Sequence, residues 1–339
     1  MIDFRYHLVS IIAVFLALAI GIVVGSTALQ PAVESGLRAT EGLLHRRIDQ
    51  VTQSNTALTQ GRAADQAFAQ AAESRLLGHL LTGQDVVMVT APSPDGQVVS
   101  GLTSALHVAD ATVTGTVAMQ PAFFDDSDST EARLTQLSQQ LAGAAGLIIS
   151  AQHDGDAVAG QEAAAQVIAA AIAAKTGPAA LSPAQSQAIL SGFASAGYLQ
   201  VSGPGGTAAS LPPAGLAIVV APATPPSSTD VSPANLALLA VAEQLQTASH
   251  GAVLAGSLAG SGPGSAIDEA TGAGKVSTVD EADSASGQIM TVQALSSLLS
   301  GHPPGSYGVH PGAAPSPAPT PSATPTSTTT TNAPHVRNK

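Results

Sequence analysis

Between Leu8 and Leu29 the chain reads LVSIIAVFLALAIGIVVGSTAL, without one charged residue. At about 1.5 Å rise per residue a helix of that length measures roughly 33 Å, against a bilayer hydrocarbon core of about 30 Å. The stretch is long enough to span a membrane with some tilt. Two readings fit an apolar run at this place: a secretory signal peptide, with Ser26-Thr27-Ala28 imitating a cleavage site, or an uncleaved anchor. The run exceeds the roughly 7–15 residues of a signal h-region, which favours the anchor. Ala13, Ala17, Gly21 and Gly25 fall four apart on one face of that helix. Such a stripe of small residues lets two transmembrane backbones approach closely.

The flanking charges do not decide orientation, because Arg5 stands on one side and Arg38, Arg46 and Arg47 on the other. A short N-terminal stub is simplest to leave in the cytoplasm, and long downstream domains translocate largely regardless of charge. The Pro/Thr/Ser-rich end of the chain is of a kind common on exported proteins. These features predict a single-pass protein of the cell envelope with an extracytoplasmic C-terminal domain. The formal net charge of −12 argues against nucleic acid as a partner.

Pro31 is expected to end the apolar helix, and a different pattern follows it. Leu37, Leu44, Val51 and Leu58 recur every seven residues, while Glu41, Ile48 and Asn55 fill the alternate seam position. A heptad seam with one polar Asn is the pattern of dimeric coiled coils, in which the Asn sets register. One long amphipathic helix packing on its own domain is the competing reading of the same residues. Coupled to the stripe ending in Gly21 and Gly25, the pattern favours a homodimer or higher oligomer over a helix spanning about residues 32–81.

From Gln84 onward apolar runs alternate with helical stretches. Strands are expected at Val86–Val89, Val113–Ala118, Leu147–Ile149, Leu216–Val220, Val253–Ala255 and Val276–Val279. Helices are expected around Val98–Val108, Thr130–Leu141, Glu162–Ala174, Pro183–Ala196, Pro233–Thr247 and Gln288–Leu299. Gly203–Pro213 and Gly260–Gly274 read as loops. Repeated strand-helix-strand units predict an α/β fold with a mainly parallel open sheet and helices on both faces. The expected organisation is a transmembrane anchor over 1–30, a coiled-coil stalk over 31–82 and an α/β domain over 83–300. A loop segment over 301–312 and a disordered tail over 313–339 complete it.

Two stretches at opposite ends, MIDFRYHLVSIIAVFLALAIGIVVG and VSTVDEADSASGQIMTVQAL (Val276–Leu295), the latter leading to Gly305-Ser306-Tyr307-Gly308, carry a resemblance. In order and spacing, about residues 1–310 resemble the actinobacterial MctB-like proteins, often labelled copper transporters. The resemblance implies a role in copper homeostasis or export, copper as the metal handled, and an envelope location described for the family as outer-membrane and pore-forming. It supplies no residue-level metal site.

The ligand inventory is sparse. Copper chemistry calls for soft thiolates or thioethers, or for grouped imidazoles. The chain has no Cys, and its four Met are far apart; none of its nine His forms an i, i+2 or i, i+4 pair. The best local constellation is His153, Asp154 and Asp156, beyond the expected strand Leu147–Ile149. Loops beyond strand carboxyl ends build ligand sites in open parallel sheets. Asp280 follows Val276–Val279 in the same way, with Glu281 and Asp283, and Asp95 follows the first strand. Gathered at one edge, such acids attract a cation; loop solvation and helix capping account for them equally. Catalysis finds no motif: G-x-S-x-G, H-E-x-x-H and a P-loop with its lysine are all missing. A single apolar helix with no polar stripe, followed by helix-interleaved strands, is also not the pattern of a transmembrane barrel. The expectation is a non-enzymatic envelope protein of copper homeostasis. The alternative on architecture alone is a dimeric scaffold or adaptor with envelope protein partners for cell-wall or division machinery.

Overall fold

The first helix, α1 (Phe4–Leu77), is unbroken in the computed structural model. The described residues are 4–149, 158–175, 181–203, 211–225 and 227–317, with side-chain surroundings in α1 given for 6–26 and from 41 onward. The backbone stays helical through Pro31, where the sequence predicted a break; losing one amide donor there does not end the helix. Tyr6–Ser26 is long and apolar enough to cross a membrane, with a mean hydropathy of 2.9 and none of its residues buried in the protein. The chain divides into two compact units, Met1–Asp65 and Gln66–Lys339.

The second unit is built on a seven-stranded sheet in the order β3-β2-β1-β4-β5-β6-β7. Its strands are β1 (Asp85–Thr90), β2 (Thr112–Met119), β3 (Leu199–Ser202), β4 (Leu216–Val220), β5 (Gly251–Ala255), β6 (Ser277–Val279) and β7 (Ser306–Tyr307). All neighbours are parallel except β2 and β3. Among the described residues the remaining α-helices are α2 (Gly96–Val108), α3 (Asp128–Ala145), α4 (Ala159–Ile172), α5 (Pro183–Ser195), α6 (Pro233–Ala248), α7 (Ala266–Ala273) and α8 (Ala285–Leu299).

The pleat sorts side chains onto two cores. Val87, Val89, Ala217, Val219 and Leu254 meet residues of α4, α5, α6 and α7 on one face. Val86, Met88, Ile218, Val220 and Val253 meet α2, α8 and the end of α1 on the other. The central strands β4 and β5 are buried along their whole length, as strands covered on both faces must be. From α1 the second core takes Leu77, fully buried, with Ala69 packed against it, and the following Leu81 is fully buried too. The burial of each leucine is worth about 1.5–3 kcal/mol.

Several expectations are corrected. Leu147–Ile149 is not a strand. Gly146 closes α3 in the left-handed conformation and the Leu147 N–H returns to the Ala142 carbonyl. That is a helix C-terminal motif, which leaves Ile148 93% exposed while Leu147 and Ile149 lean on the core. Gly260–Gly274, read as loop, contains α7. The strands β3 and β7 were not expected. At the tail, the Ala314 N–H donates to the Ser306 carbonyl at 2.7 Å, and Ala313 N–H to His310, so chain order continues past residue 312. The remainder of the expected tail, beyond 317, lies outside the described residues.

One glycine shows how close the sheet packs. The pairing of β1 with β2 shifts between Val86 and Val87, and Gly115 enters the bulge with φ +150°. A Cβ there would stand 2.2 Å from the Leu211 side chain and 2.5 Å from the Ser202 carbonyl.

Candidate functional site at the carboxyl edge of the sheet

A doubly wound sheet binds ligands beyond its strand carboxyl ends, at the point where strand order reverses. Here the chain winds outward from β1 to β2 and β3, then returns to lay β4 beside β1, so the switch point lies between β1 and β4. The two loops there close on each other. Pro94 and Pro222 form an antiparallel bridge, and the Ala223 N–H donates to the Ser93 carbonyl at 3.1 Å. The open cavity is displaced to the β4–β5 side, where it holds about 190 Å³. Its polar wall includes Ser227, Ser228, Asp230, Ser232, Asn235 and Ser265. Several of these are committed to local structure. The Asn235 amide donates to the Gly264 carbonyl at 2.7 Å, and Ser232 and Ser265 cap α6 and α7 by accepting from Asn235 and Asp268 N–H. The polar lining is hydroxyl, amide and the Asp230 carboxyl, without imidazole or sulfur.

The described acids predicted at this edge each accept a hydrogen bond, from a backbone N–H in every case but Glu281. Asp95 caps α2, its Oδ1 accepting the Gln97 N–H at 2.8 Å. Asp283 Oδ1 accepts the Leu258 N–H at 3.1 Å. Glu281 Oε1 accepts from the Ser286 hydroxyl at 3.4 Å. Asp280 is the most deeply placed, 1% exposed at the end of β6. Its Oδ1 accepts the Val309 N–H at 3.0 Å and its Oδ2 the His310 N–H. His153, Asp154 and Asp156 lie outside the described residues. Among the described residues no group of three or more His, Asp or Glu side chains comes together to hold a metal ion.

Asp280 clamps a strap formed by residues 301–317. The strap enters through Gly305, whose N–H donates to the Ser277 hydroxyl and whose carbonyl accepts the Thr278 N–H. Then β7 pairs with Thr278 and Val279. Tyr307 packs into the second core, and burial pushes its phenol above the usual tyrosine range. The strap closes with the His310 Nε2 3.0 Å from Asp268 Oδ1 on α7. The two carboxyl-end stretches singled out in the sequence, Val276–Leu295 and Gly305–Gly308, are thus one piece of structure.

Copper donors are dispersed in the same way. Met88, Met119 and Met290 are buried core residues on the two faces of the sheet. His79 Nδ1 pairs with Asp110 at an exposed corner, and His302 Nδ1 lies 3.2 Å from the Ser297 carbonyl. In the first unit the seam residues Leu44, Ile48, Val51 and Leu58 are 53–66% exposed. Gly21 and Gly25 have open space where a Cβ would stand.

Against this geometry stand the comparisons with known proteins. The profile of the family described as "Copper transport outer membrane protein, MctB" matches residues 1–317. Proteins named "Copper transporter MctB" from Mycobacterium tuberculosis and Mycobacterium bovis are each 28% identical to this chain over 322 residues, covering 92% of it and 98% of their own length. The protein of that name from Mycobacterium leprae is 28% identical over 320 residues, with the same coverage.

Proposed function

The chain belongs to the family of MctB copper transport outer membrane proteins, and we propose that it serves copper homeostasis at the cell envelope, held to a membrane by the helix Tyr6–Ser26. The observation that carries this reading is end-to-end similarity: relatives named copper transporters align over 98% of their length. The apolar helix, with none of its residues buried in the protein, supports the anchor. We read the α/β domain as extracytoplasmic and non-enzymatic, standing on a stalk that pairs with a partner helix.

Copper in this reading is cargo or stress, not a resident cofactor. The donor set does not fit a folded copper centre among the described residues: the chain lacks cysteine, its described methionines beyond α1 are core residues, and its described imidazoles occur singly. In this reading the anchor and the stalk, rather than a copper centre among the described residues, carry the protein's part in copper handling.

A strain lacking the gene tests the proposal. The full chain should restore growth in elevated copper, and a variant with Leu8–Leu29 deleted should not. A deletion strain as copper-tolerant as its parent would refute the assignment.

A further inference from the structure

A solitary helix has no reason to persist in water over the span between the membrane segment and the domain. Isolated helices gain little from propensity alone and draw their stability from packing an apolar face. From Glu41 to Asp65 every residue but Gly42 is exposed in α1, and the exposed set includes Leu43, Leu44, Ile48, Val51 and Leu58. The hydrogen bonds that Arg46, Thr56 and Thr59 make there run within one turn of the same helix.

The seam is bounded at its far end by the protein's own domain. Continuing the seven-residue count, Arg62 and Asp65 take the next two seam positions, then Ala69, Ala72 and Leu76. At Gln66 the helix stops being bare. The Gln66 Oε1 accepts the Ala285 N–H at the start of α8 at 3.0 Å, Ala69 packs on the second core, and Leu77 is fully buried in it. Of the seam positions after Arg62 and Asp65, Ala69 is thus drawn into the domain and Ala72 is half-buried. An apolar seam gives way to charge at the place where an intramolecular partner takes over the helix.

From these observations we infer that a second copy of this chain occupies the α1 seam from Leu44 to Leu58, as a parallel two-stranded coiled coil that ends before Gln66. Parallel pairing follows from the membrane anchoring proposed above, on which this inference rests, because both N-terminal helices then enter the same bilayer. Ile48 alternates with Leu44 and Leu58, and a β-branched residue at one seam position with Leu at the other favours two strands. Asn55 pairs with Asn55 across the axis, which penalises slipped and higher-order assemblies. In register, Glu41 faces Glu41 and Arg62 faces Arg62, so like charges mark both ends of the zipper. The bare contact is short. Confinement of two anchors in one membrane raises their effective concentration and supplies what the seam lacks.

Single cysteines in the cysteine-free full chain, reconstituted in liposomes and treated with a short bis-maleimide, test this. Leu44→Cys, Val51→Cys and Leu58→Cys should yield several-fold more crosslinked dimer than Gln53→Cys, on the opposite face. Leu76→Cys occupies a seam position, is 46% exposed and accessible to a monofunctional maleimide, and should match Gln53→Cys. Asn55→Leu in the cysteine-free chain should add species larger than the dimer in analytical ultracentrifugation of the detergent-solubilised protein. Crosslinking that is equal at Val51 and Gln53, equal at Val51 and Leu76, or missing from the seam would overturn the inference. So would an Asn55→Leu sedimentation profile identical to that of the unsubstituted chain. Intact crosslinking alongside a copper-insensitive deletion strain would strike the copper reading alone.

Discussion

The clamp at Asp280 makes a quantitative prediction about the strap. In Asp280→Asn the side chain keeps its shape, but one carboxylate oxygen becomes an NH₂ facing a backbone N–H, and the charge is lost. Hydrogen bonds to a charged group contribute about 1.5–3 kcal/mol each. Two such bonds hold Val309 and His310, and the variant loses one and weakens the other. The expected destabilisation is about 2–4 kcal/mol, which lowers Tm by about 4–16 °C in a domain of this size. There is a ceiling, because the strap can detach while the sheet survives. Once residues 301–317 undock, the rest of the domain loses no more, and β7 leaves the edge of β6. Thermal denaturation of a fragment spanning 66–317 reads the first effect, and limited proteolysis reads the second as early cleavage within 301–317. A change below about 0.5 kcal/mol, typical of a surface site, together with an unchanged digest would refute the clamp.

Other changes separate competing terms. Gly287→Ala should destabilise by about 1–2 kcal/mol in urea unfolding, since the roughly 1 kcal/mol of helix propensity is outweighed by a Cβ set 2.0 Å from the Glu281 carbonyl oxygen. Gly143→Ala, also in a helix but with open space around its Cβ, should stabilise by about 0.5–1 kcal/mol in the same assay. The Ser127 N–H and the Thr130 and Ser127 hydroxyls hold the Asp125 carboxyl below its usual range. Its contribution is complete above the unfolded value near 3.9 and fades as pH falls through the lower folded value. The Tm gap between wild type and Asp125→Asn should therefore narrow progressively below about pH 4, and a gap that widens in acid would reverse the sign. A fragment beginning at Gln66 should unfold cooperatively at a higher urea midpoint than one beginning at Thr82, which lacks Leu77 and Leu81, both fully buried.

How much of this fold is visible in the sequence depends on whether an element's partners are local. The central strands announce themselves because burial on both faces leaves near-continuous apolar runs, LAIVV in β4 and GAVLA in β5. Helices with Ser-Pro starts, α5 and α6, are equally plain, and each Ser does cap its helix. The short edge elements are not. The strand β7 is two residues long and owes its existence to Thr278 and Val279, far away in sequence. Glycines on either side hid α7, although Ser265 and Asp268 stand at the spacing of an N-terminal capping motif and form the expected Ser265–Asp268 contact. Leu147–Ile149 misled in the other direction, since three apolar residues after a helix serve a Schellman-type ending as readily as a strand.

The candidate site was harder to read, for a physical reason. Acids after strand ends are visible in sequence, but a carboxylate facing solvent, one capping a helix and one holding a distant strap look alike there. Asp280 differs from Asp95 only in what meets it, and what meets it is backbone N–H from residues 309 and 310. That partnership explains why the stretches Val276–Leu295 and Gly305–Gly308 belong together: the acid needs the strap, and Gly308 lies so close to the Asp280 carboxylate that any Cβ would collide with it. The stretch that resembles a known family at this end is therefore a packing solution, and the one at the other end is a helix with the length of a membrane span. Neither assembles a set of soft or imidazole ligands. On the function and the pairing proposed above, the parts of the chain with most to contribute to copper handling are the anchor and the seam Leu44–Leu58, and variants there are the ones to test for copper tolerance.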